Sequence, residues 1–500
     1  MELKNGYREW LKPGESLSQR AFRGGIWVFA IRITYRVIGL VRTIILARVL
    51  APNDFGLMGI ALLTMATLET FSQIGFNAAL IQKKRKTYEY LDTAWTTGII
   101  RSVLITAILF FSAPLVAKFF SAPPAVPILK VIGLAIILQS LINIAVIYFE
   151  KELEFHKYFA YQFTGMIVDV AVAISAAFLL HSVWALVYGF LAGNLTRCVL
   201  SYVIDPYRPK FHLNFSKVKE LWGFGRWIFG SGILTFVYSQ GDDIFVGILL
   251  GATALGFYQM AYRISNIPAT EITHVISQVS FPIYSKLQDN ISKLREAYLK
   301  FLQVTAFLSF PVAGLIFILA PDFTKLFLGE KWMPMVPVMQ TLTIWGLIRS
   351  VGATTGPLFL AVGRPDLVTK LQLVKFILLV ILIYPLTVKW GILGTSLAVV
   401  INALIENPIA DYVAIKTVKC RILEFGKMLI VPMLAVSVML SVLILLKYMI
   451  FEGMGFLIFF VLVAVGIVVY LAVIQIVELL SSYGIKATIL NQVATFRADK

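Results

Sequence analysis

Apolar segments of about 20 residues or more alternate with short polar turns along almost the whole chain. A segment of that length crosses the hydrocarbon core of a bilayer as one helix. The pattern therefore predicts an all-α integral membrane protein with about 14 transmembrane helices, which we call spans 1 to 14. The spans are predicted at 22–46, 56–80, 93–119, 127–149, 158–180, 183–204, 221–249, 256–283, 298–320, 336–361, 367–388, 391–415, 425–449 and 454–480.

An internal repeat organises these spans. Residues 22–64 align without a gap on residues 222–264, so the repeat unit contains six spans. Six is an even number, and both copies therefore enter the membrane in the same direction, related by an axis along the membrane normal. The matched pairs are Gly25 and Gly225, Trp27 and Trp227, Phe29 and Phe229, Ile44 and Ile244, Leu50 and Leu250, Gly56 and Gly256, and Ala61 and Ala261.

The repeat predicts two lobes of six helices each. Residues 1–204 form the N-terminal lobe and residues 221–415 the C-terminal lobe, joined by a polar, basic linker over 205–220. Residues 416–500 hold spans 13 and 14 and a tail, and they have no counterpart in the repeat. Repeated lobes in a membrane protein are typical of a transporter that works by alternating access.

The charge distribution predicts the orientation. The net charge of +17 suggests nucleic-acid binding, but the cations lie in short turns beside the spans, which argues against that class. Lysine and arginine concentrate at the N-terminus, in the even-numbered turns and in the C-terminal tail, with Lys83–Lys86 as the clearest cluster. The positive-inside rule therefore places both termini in the cytoplasm. The polar first 21 residues predict no cleaved signal peptide.

Catalysis is disfavoured by the short connections. The longest outer connection runs from about Pro321 to Met335, which is too short for a folded catalytic domain. The chain contains no pattern typical of a nucleophile–base triad, a phosphate-binding glycine loop or a paired-carboxylate site. Its two cysteines predict neither a disulfide nor a metal site, and we expect no cofactor and no enzymatic activity.

Charged residues inside the spans are the candidate functional residues, because an ionised side chain in mid-bilayer costs about 2.5–3.5 kcal/mol or more unless it is paired or faces water. Arg36, Arg101 and Arg349 lie too deep to reach the interface, so we expect them to face a cavity. Arg197 and Arg226 lie near helix ends, where a snorkelling position is favoured.

Span 1 carries the densest cationic face. Arg32, Arg36 and Arg42 fall within one arc of about 120° on a helix. Gly39 lies inside this arc and is predicted to act as a hinge or to let a ligand approach. Clustered guanidinium groups need an anion to offset them, and a phosphate fits their paired hydrogen-bond donors.

Acidic residues within the spans are the candidates for gating or ion coupling; they are Glu69, Asp169, Asp242 and Asp243. Asp242 is the repeat equivalent of Arg42, so we predict that these two side chains approach each other in at least one state of a transport cycle. The alternative is that Asp242 and Asp243 pair with arginines of their own lobe.

Particular residues carry a family resemblance. The segment Tyr35–Arg42, followed by Ala47 and Arg48, resembles the first helix of lipid II flippases, and the segment from Tyr258 through Arg263 to Pro268 is similar to their eighth helix. The turn at 47–56, Ala-Arg-x-Leu-x-Pro-x-Asp-Phe-Gly, looks more like that of O-antigen and exopolysaccharide flippases, as does Thr43 directly after Arg42. Both groups belong to the multidrug, oligosaccharidyl-lipid and polysaccharide exporter superfamily.

The resemblance implies two six-helix bundles around a cationic cavity that binds the diphosphate of a polyprenyl-linked glycan. By residue match, Arg36, Arg42 and Arg263 correspond to cavity arginines of the family. An arginine that lipid II flippases carry in the second helix has no match here, because that helix contains Glu69. A lipid-linked oligosaccharide other than lipid II is therefore favoured.

The sequence thus predicts a flippase that moves polyprenyl-diphosphate-linked oligosaccharide from the cytoplasmic to the outer leaflet of a bacterial or archaeal cell membrane. Membrane potential, a proton or a monovalent cation drives it, and polysaccharide-assembly proteins are expected partners. The predicted substrate-binding residues are Arg32, Arg36, Arg42, Arg101, Arg263 and Arg349. The alternatives are a cation-coupled drug exporter of the same superfamily, a lipid II flippase and, less favoured, a membrane polysaccharide polymerase or ligase.

Overall fold

The computed structural model describes residues 34–73, 88–151, 154–449, 455–481 and 484, and none of these residues lies in a β-strand. We number the helices of seven or more residues. They are α1 (34–49), α2 (Pro52–Ser72), α3 (Tyr88–Phe119), α4 (Ala125–Ser140), α5 (Phe155–Leu180), α6 (Trp184–Ile204), α7 (Phe215–Ser265), α8 (Thr273–Leu287), α9 (Ile291–Phe323), α10 (Val336–Gly352), α11 (Thr355–Ala361), α12 (Pro365–Val418), α13 (Ile422–Met449) and α14 (Phe456–Ser481).

Within the described part of the chain, nine helices are long and apolar enough to cross a membrane. The predicted fold class, an all-α integral membrane protein, is therefore confirmed. The count of fourteen spans stays a prediction, since the first part of span 1 and the end of span 2 lie outside the described residues. Span 10 is divided, because α10 ends at Gly352 and α11 begins at Thr355.

The turn between α1 and α2 is held by one carboxylate. Pro52 occupies the first turn of α2, where a missing backbone N–H costs nothing. Asp54 accepts a hydrogen bond from the Ala51 N–H at 2.9 Å and another from the Val183 N–H at 3.0 Å. The turn is thereby tied to the start of α6.

The repeat-equivalent turn is a break at one glycine. Within α7, Gly251 adopts a φ of 79°, which a residue with a Cβ rarely adopts, and the helix changes direction there. Thr253 Oγ1 donates to Asn53 Oδ1 at 3.2 Å, so two residues that are exactly 200 positions apart contact each other. A Cβ on Gly56 would lie 1.6 Å from the Ala252 carbonyl oxygen, so this packing requires glycine.

The linker between α6 and α7 is an extended segment tied to the start of α3. Asp92 Oδ1 accepts from the Tyr207 hydroxyl at 2.7 Å and from the Lys210 N–H at 2.8 Å. The Phe211 ring packs 5.0 Å from Trp95. Burial and the Asp92 carboxylate raise the pKa of Tyr207, which therefore stays a neutral hydroxyl donor in this contact.

Helices α13 and α14 pack against α9 through small residues. A Cβ on Gly314 would lie 2.7 Å from the Met439 Cε, and one on Gly466 would lie 2.8 Å from the Leu315 Cδ2. Lys447 also donates to the Asp322 carboxylate. The pair that has no counterpart in the repeat is thus an integrated part of its unit.

By its packing the chain forms two compact units. The first contains 1–244 and 251–253, and the second contains 245–250 and 254–500. The predicted lobes divide at 205–220 instead, and the lobe boundaries and the arrangement of the lobes stay predictions.

Candidate functional site

Helices α5 and α6 of the first unit approach each other closely along two ladders of residues spaced by four. On α5 the ladder is Gly165, Asp169 and Ala173, and on α6 it is Gly189, Gly193 and Arg197. A Cβ on Gly189 would lie 2.5 Å from the Ala173 Cβ, and one on Gly193 would lie 2.9 Å from the Gly165 carbonyl oxygen. Small residues with this spacing are typical of membrane helices whose backbones lie in contact.

This close contact positions the carboxylate of Asp169. The position that a Cβ would occupy on Gly189 lies 2.7 Å from Asp169 Oδ1, so a larger residue there would displace the carboxylate. Arg42 Nη2 of α1 donates to the same Oδ1 at 2.8 Å. Both side chains are about one-fifth exposed, 19% for Arg42 and 20% for Asp169, and the ion pair therefore lies largely outside water.

Arg42 thus has an acidic partner on α5 in this structure. The predicted Arg42–Asp242 pair, which requires only one state of the cycle, stays a prediction. Asp242 itself is buried, and its Oδ1 accepts from the Asp243 N–H at 3.0 Å, so the two acids form a single polar cluster on α7.

The polar neighbours of Arg101 lie on α2. Its Nε donates to Ser72 Oγ at 3.2 Å, and Glu69 lies within electrostatic range of its guanidinium group. Glu69, the acid of the second span, which lacks the arginine of lipid II flippases, therefore lies near an arginine on α3. Whether either residue binds substrate stays a prediction.

The remaining predicted residues of span 1 are only partly described. Arg36 is half-buried on α1, and Gly39 lies within an unbroken stretch of this helix, so the hinge stays a prediction. A Cβ on Gly39 would meet only the Met166 Cε at 3.8 Å. Arg32 lies outside the described residues.

Arg349 of the second unit is surrounded by aromatic groups. Its guanidinium carbon lies 5.2 Å from the Trp345 ring centroid, and Nη1 lies 3.5 Å from the Tyr262 hydroxyl. The two rings are 5.3 Å apart. Among the described residues Arg349 has no acidic partner, so the aromatic faces and the hydroxyl alone stabilise its charge. Arg263, one position after Tyr262, is exposed.

Sequence reasoning missed three features. The first is that Arg197, whose snorkelling position stays a prediction, packs its stem against Gly165 with its Nε buried; the four-residue spacing of the small residues could have revealed this packing. In the second unit, Lys375 Nζ lies 3.6 Å from Glu406 Oε2. Asp411 Oδ1 accepts from the Thr355 hydroxyl at 3.4 Å, which in turn lies 3.3 Å from the Tyr298 hydroxyl.

Comparison with known proteins identifies the family. A family model described as "Polysaccharide biosynthesis protein" matches residues 45–337. The chain is 26% identical over 405 residues to the lipopolysaccharide biosynthesis protein WzxC of Escherichia coli strain K12, covering 81% of this chain and 82% of that protein. It is 26% identical over 357 residues to the teichuronic acid biosynthesis protein TuaB of Bacillus subtilis strain 168, covering 70% and 73%.

The fold is similar to a solved structure titled "Lipid II flippase MurJ, inward closed conformation". The TM-score is 0.71 at 16% sequence identity, with 91% of this chain and 99% of that chain covered. At this identity the similarity concerns the fold alone. The resemblance predicted from Tyr35–Arg42 and from the turn at 47–56 is confirmed. Because the family model spans more than half of the chain, the protein belongs to the polysaccharide biosynthesis protein family.

Proposed function

We propose that the protein is an alternating-access flippase that moves a polyprenyl-diphosphate-linked oligosaccharide from the cytoplasmic to the outer leaflet for surface polysaccharide synthesis. It is a multi-pass transporter of the cell's inner membrane and not an enzyme. The names of its relatives support this role, since WzxC and TuaB are named for lipopolysaccharide and teichuronic acid biosynthesis and the MurJ fold belongs to a lipid flippase.

The observation that carries the proposal is the placement of arginines on apolar helices. Arg101 is partly buried on α3, while Arg42 and Arg349 are partly buried and contact α5 and α7; these three helices are long and apolar enough to span a bilayer. Burying guanidinium groups is expensive, and they are retained where an anion must be bound. Arginine donates paired hydrogen bonds to phosphoryl oxygens, whereas a carrier of cationic drugs needs acidic or aromatic groups instead.

Transport divides the substrate between two environments. The diphosphate and the glycan are polar and need a hydrated, cationic route, while the polyprenyl chain remains in the bilayer. Asp169 keeps the charge of Arg42 compensated when no diphosphate is bound, because an unpaired buried cation is costly. A substrate phosphate and Asp169 then compete for the same guanidinium group. A proton, a monovalent cation or the membrane potential supplies the driving force, and both termini face the cytoplasm.

Complementation of a flippase-null strain tests the role of Arg36. We expect Arg36→Ala to abolish surface polysaccharide and Arg36→Lys to restore only a small part of it, because lysine keeps the charge but loses the paired geometry. Arg421→Ala is the matched control, since Arg421 is exposed between α12 and α13 and should be dispensable. Normal polysaccharide from Arg36→Ala at normal protein level would remove Arg36 from the binding site.

Reconstitution tests the flippase activity itself. Proteoliposomes with a fluorescent polyprenyl-diphosphate oligosaccharide should move the label from one leaflet to the other faster than empty liposomes. A membrane-impermeant quencher reports the leaflet. Movement of a cationic dye in place of the lipid-linked glycan would instead identify a drug exporter.

A further inference from the structure

We propose that Arg197 and Tyr35 form an anion subsite in the first unit that binds a phosphoryl group of a lipid-linked diphosphate. This inference rests on the proposed function and adds to it two residues that neither the sequence nor the relatives assign. It starts from hydrogen-bonding groups that have no partner among the described residues.

Three helices converge at this subsite. Successive residues of α1 lie beside successive residues of α5. Tyr35 lies near Tyr161, Gly39 faces Met166, and Arg42 binds Asp169. These two helices therefore run parallel in matched register.

Helix α6 runs the opposite way, since Gly189 meets Ala173 whereas Arg197 meets Gly165. Arg197 consequently lies beside Tyr35 and Tyr161, and its charge lies within electrostatic range of both hydroxyl groups.

Gly165 creates the space for the arginine. A Cβ at this position would lie 2.5 Å from Arg197 Cγ and 2.8 Å from Arg197 Nε. The stem of Arg197 therefore lies against the backbone of α5, and its Nε is buried although the residue as a whole is partly exposed.

The donors at this place are unsatisfied. Arg197 Nε and the Tyr35 hydroxyl are buried, and neither has a hydrogen-bond partner in the described part of the chain. Arg42 Nε is in the same condition, although Nη2 binds Asp169. A buried donor without a hydrogen-bond partner is unfavourable, and a charged donor more so, so such groups indicate a ligand rich in acceptors.

The spacing of these groups suits a diphosphate. Gly165, which contacts Arg197, and Asp169, which binds Arg42, are four residues apart on α5, or about 6 Å along the axis. Two adjacent phosphoryl groups present acceptors at two such levels. One phosphoryl group accepts from Arg197 and Tyr35, and the other competes with Asp169 for Arg42.

Binding to the purified full-length protein tests the subsite. The probe is farnesyl diphosphate, followed by intrinsic tryptophan fluorescence in detergent. Arg197→Gln should weaken binding at least about tenfold, because a hydrogen bond to a charged group contributes about 1.5 kcal/mol or more. Arg197→Lys should fall between Arg197→Gln and the wild type. Arg208→Gln is the control, since Arg208 is exposed and donates to the Asp205 carbonyl at 2.7 Å.

A second variant guards against misfolding. Tyr35→Phe removes a hydroxyl that has no hydrogen-bond partner in the described part of the chain, so the thermal unfolding midpoint should not fall while binding weakens about tenfold. Three further probes distinguish the source of the anion. Farnesol should not bind, inorganic pyrophosphate should compete weakly, and phosphatidylglycerol micelles should compete only if a membrane headgroup is the ligand.

Two results separate the subsite from the proposed function. If the wild-type protein flips the lipid-linked glycan but Arg197→Gln and Tyr35→Phe bind farnesyl diphosphate as tightly as wild type, the subsite is refuted and the flippase stands. If the wild type neither flips the glycan nor binds farnesyl diphosphate, both proposals fail. Preferred binding of phosphatidylglycerol over farnesyl diphosphate overturns the substrate assignment of the subsite.

Discussion

Arg42 and Arg101 of the first unit and Arg349 of the second unit show two ways of stabilising a partly buried arginine, although the second unit also contains the lysine–carboxylate pairs Lys375–Glu406 and Lys447–Asp322. In the first unit arginines meet carboxylates, as Arg42 meets Asp169 and Arg101 faces Glu69. In the second unit, Arg349 lies against Trp345 and Tyr262 and has no acidic partner among the residues described. A phosphate can replace a carboxylate as the partner of an arginine. The two aromatic rings beside Arg349, in contrast, add no negative charge that a phosphate would have to displace.

One acid in each unit shows a similar difference, which concerns whether a cation lies beside the carboxylate. Asp169 is paired with a guanidinium group, whereas Asp411, in the described part of the second unit, meets only the Thr355 hydroxyl and no cation. A carboxylate with a cationic partner is stabilised by the ion pair, while one that meets only a hydroxyl gains little from its charge. Asp169 and Asp411 therefore should respond in opposite ways when they are neutralised.

The largest expected effect comes from removing the glycine that lets the first unit hold its ion pair. In Gly189→Ala the new Cβ would lie 2.5 Å from Ala173 and 2.7 Å from Asp169 Oδ1. Relieving this overlap requires α5 and α6 to separate, so we expect the free energy of unfolding to fall by about 1–3 kcal/mol or more. The thermal unfolding midpoint in detergent measures it.

The matched control for this substitution is Gly98→Ala on α3. A Cβ at position 98 meets nothing within 4 Å, so this variant should unfold at or above the wild-type temperature. In the second unit, Gly314→Ala should cost less than Gly189→Ala, because its nearest neighbour is the flexible end of Met439. Equal midpoints for Gly189→Ala and Gly98→Ala would contradict the close packing of α5 and α6.

Neutralising Asp169 and Asp411 in turn tests the difference between these two acids directly. Asp169→Asn leaves the Arg42 charge without its partner, and we expect a loss of about 1–3 kcal/mol, between the values for exposed and buried pairs. Asp411→Asn removes a charge that no cation offsets within the described residues, so stability should stay unchanged or rise slightly. Chemical denaturation of both variants gives the two free energies. A loss for Asp411→Asn as large as that for Asp169→Asn would mean that the surroundings of these two acids do not differ in effect.

Arg349 tests whether the aromatic surroundings matter for transport. Arg349→Lys keeps the charge but loses the planar group that stacks on Trp345, so flipping should slow roughly threefold to tenfold. Lys389→Gln is the control, since Lys389 also lies over a tryptophan, 4.8 Å from the Trp390 ring centroid, at the break in α12. If both variants move the substrate at the wild-type rate, the contacts of Arg349 with Trp345 and Tyr262 have no role in transport.

These contrasts were only partly predictable from the sequence. The length of the apolar segments and the 200-residue repeat predicted membrane helices and the equivalence of the turns at Asn53 and Thr253. The angular positions on span 1 grouped Arg36 with Arg42, since helical periodicity depends only on local spacing.

Partners depend on packing between distant segments, which local spacing does not encode. Arg42 could be matched with Asp242 by the repeat, but its bridge to Asp169 follows from the close approach of α5 and α6. Arg197 was judged by its depth along one helix, and the depth did not reveal that Gly165 leaves room for its stem. The ladders of small residues at four-residue spacing were the signal that could have corrected this.

The smallest effect uses the cysteines, since each unit carries one. Burial, and after it the negative charge of Glu424, raise the pKa of the Cys420 thiol, which lies in the turn between α12 and α13. The reactive species is the thiolate, and a raised pKa leaves less of it at neutral pH. In a Cys198→Ser background, N-ethylmaleimide should therefore modify Cys420 more slowly than a fully exposed thiol at pH 7.5. The labelling rate of Cys420 should keep rising with pH beyond the point where the rate of the exposed thiol levels off.

Glu424→Gln removes the like charge, lowers the pKa of Cys420 toward its ordinary value and should accelerate labelling at pH 7.5 a few-fold. Because burial is the larger cause, labelling of the Glu424→Gln protein should remain slower than that of the exposed thiol. A rate for wild-type Cys420 equal to that of the exposed thiol at every pH would show that the turn is open to solvent and that neither cause acts on it.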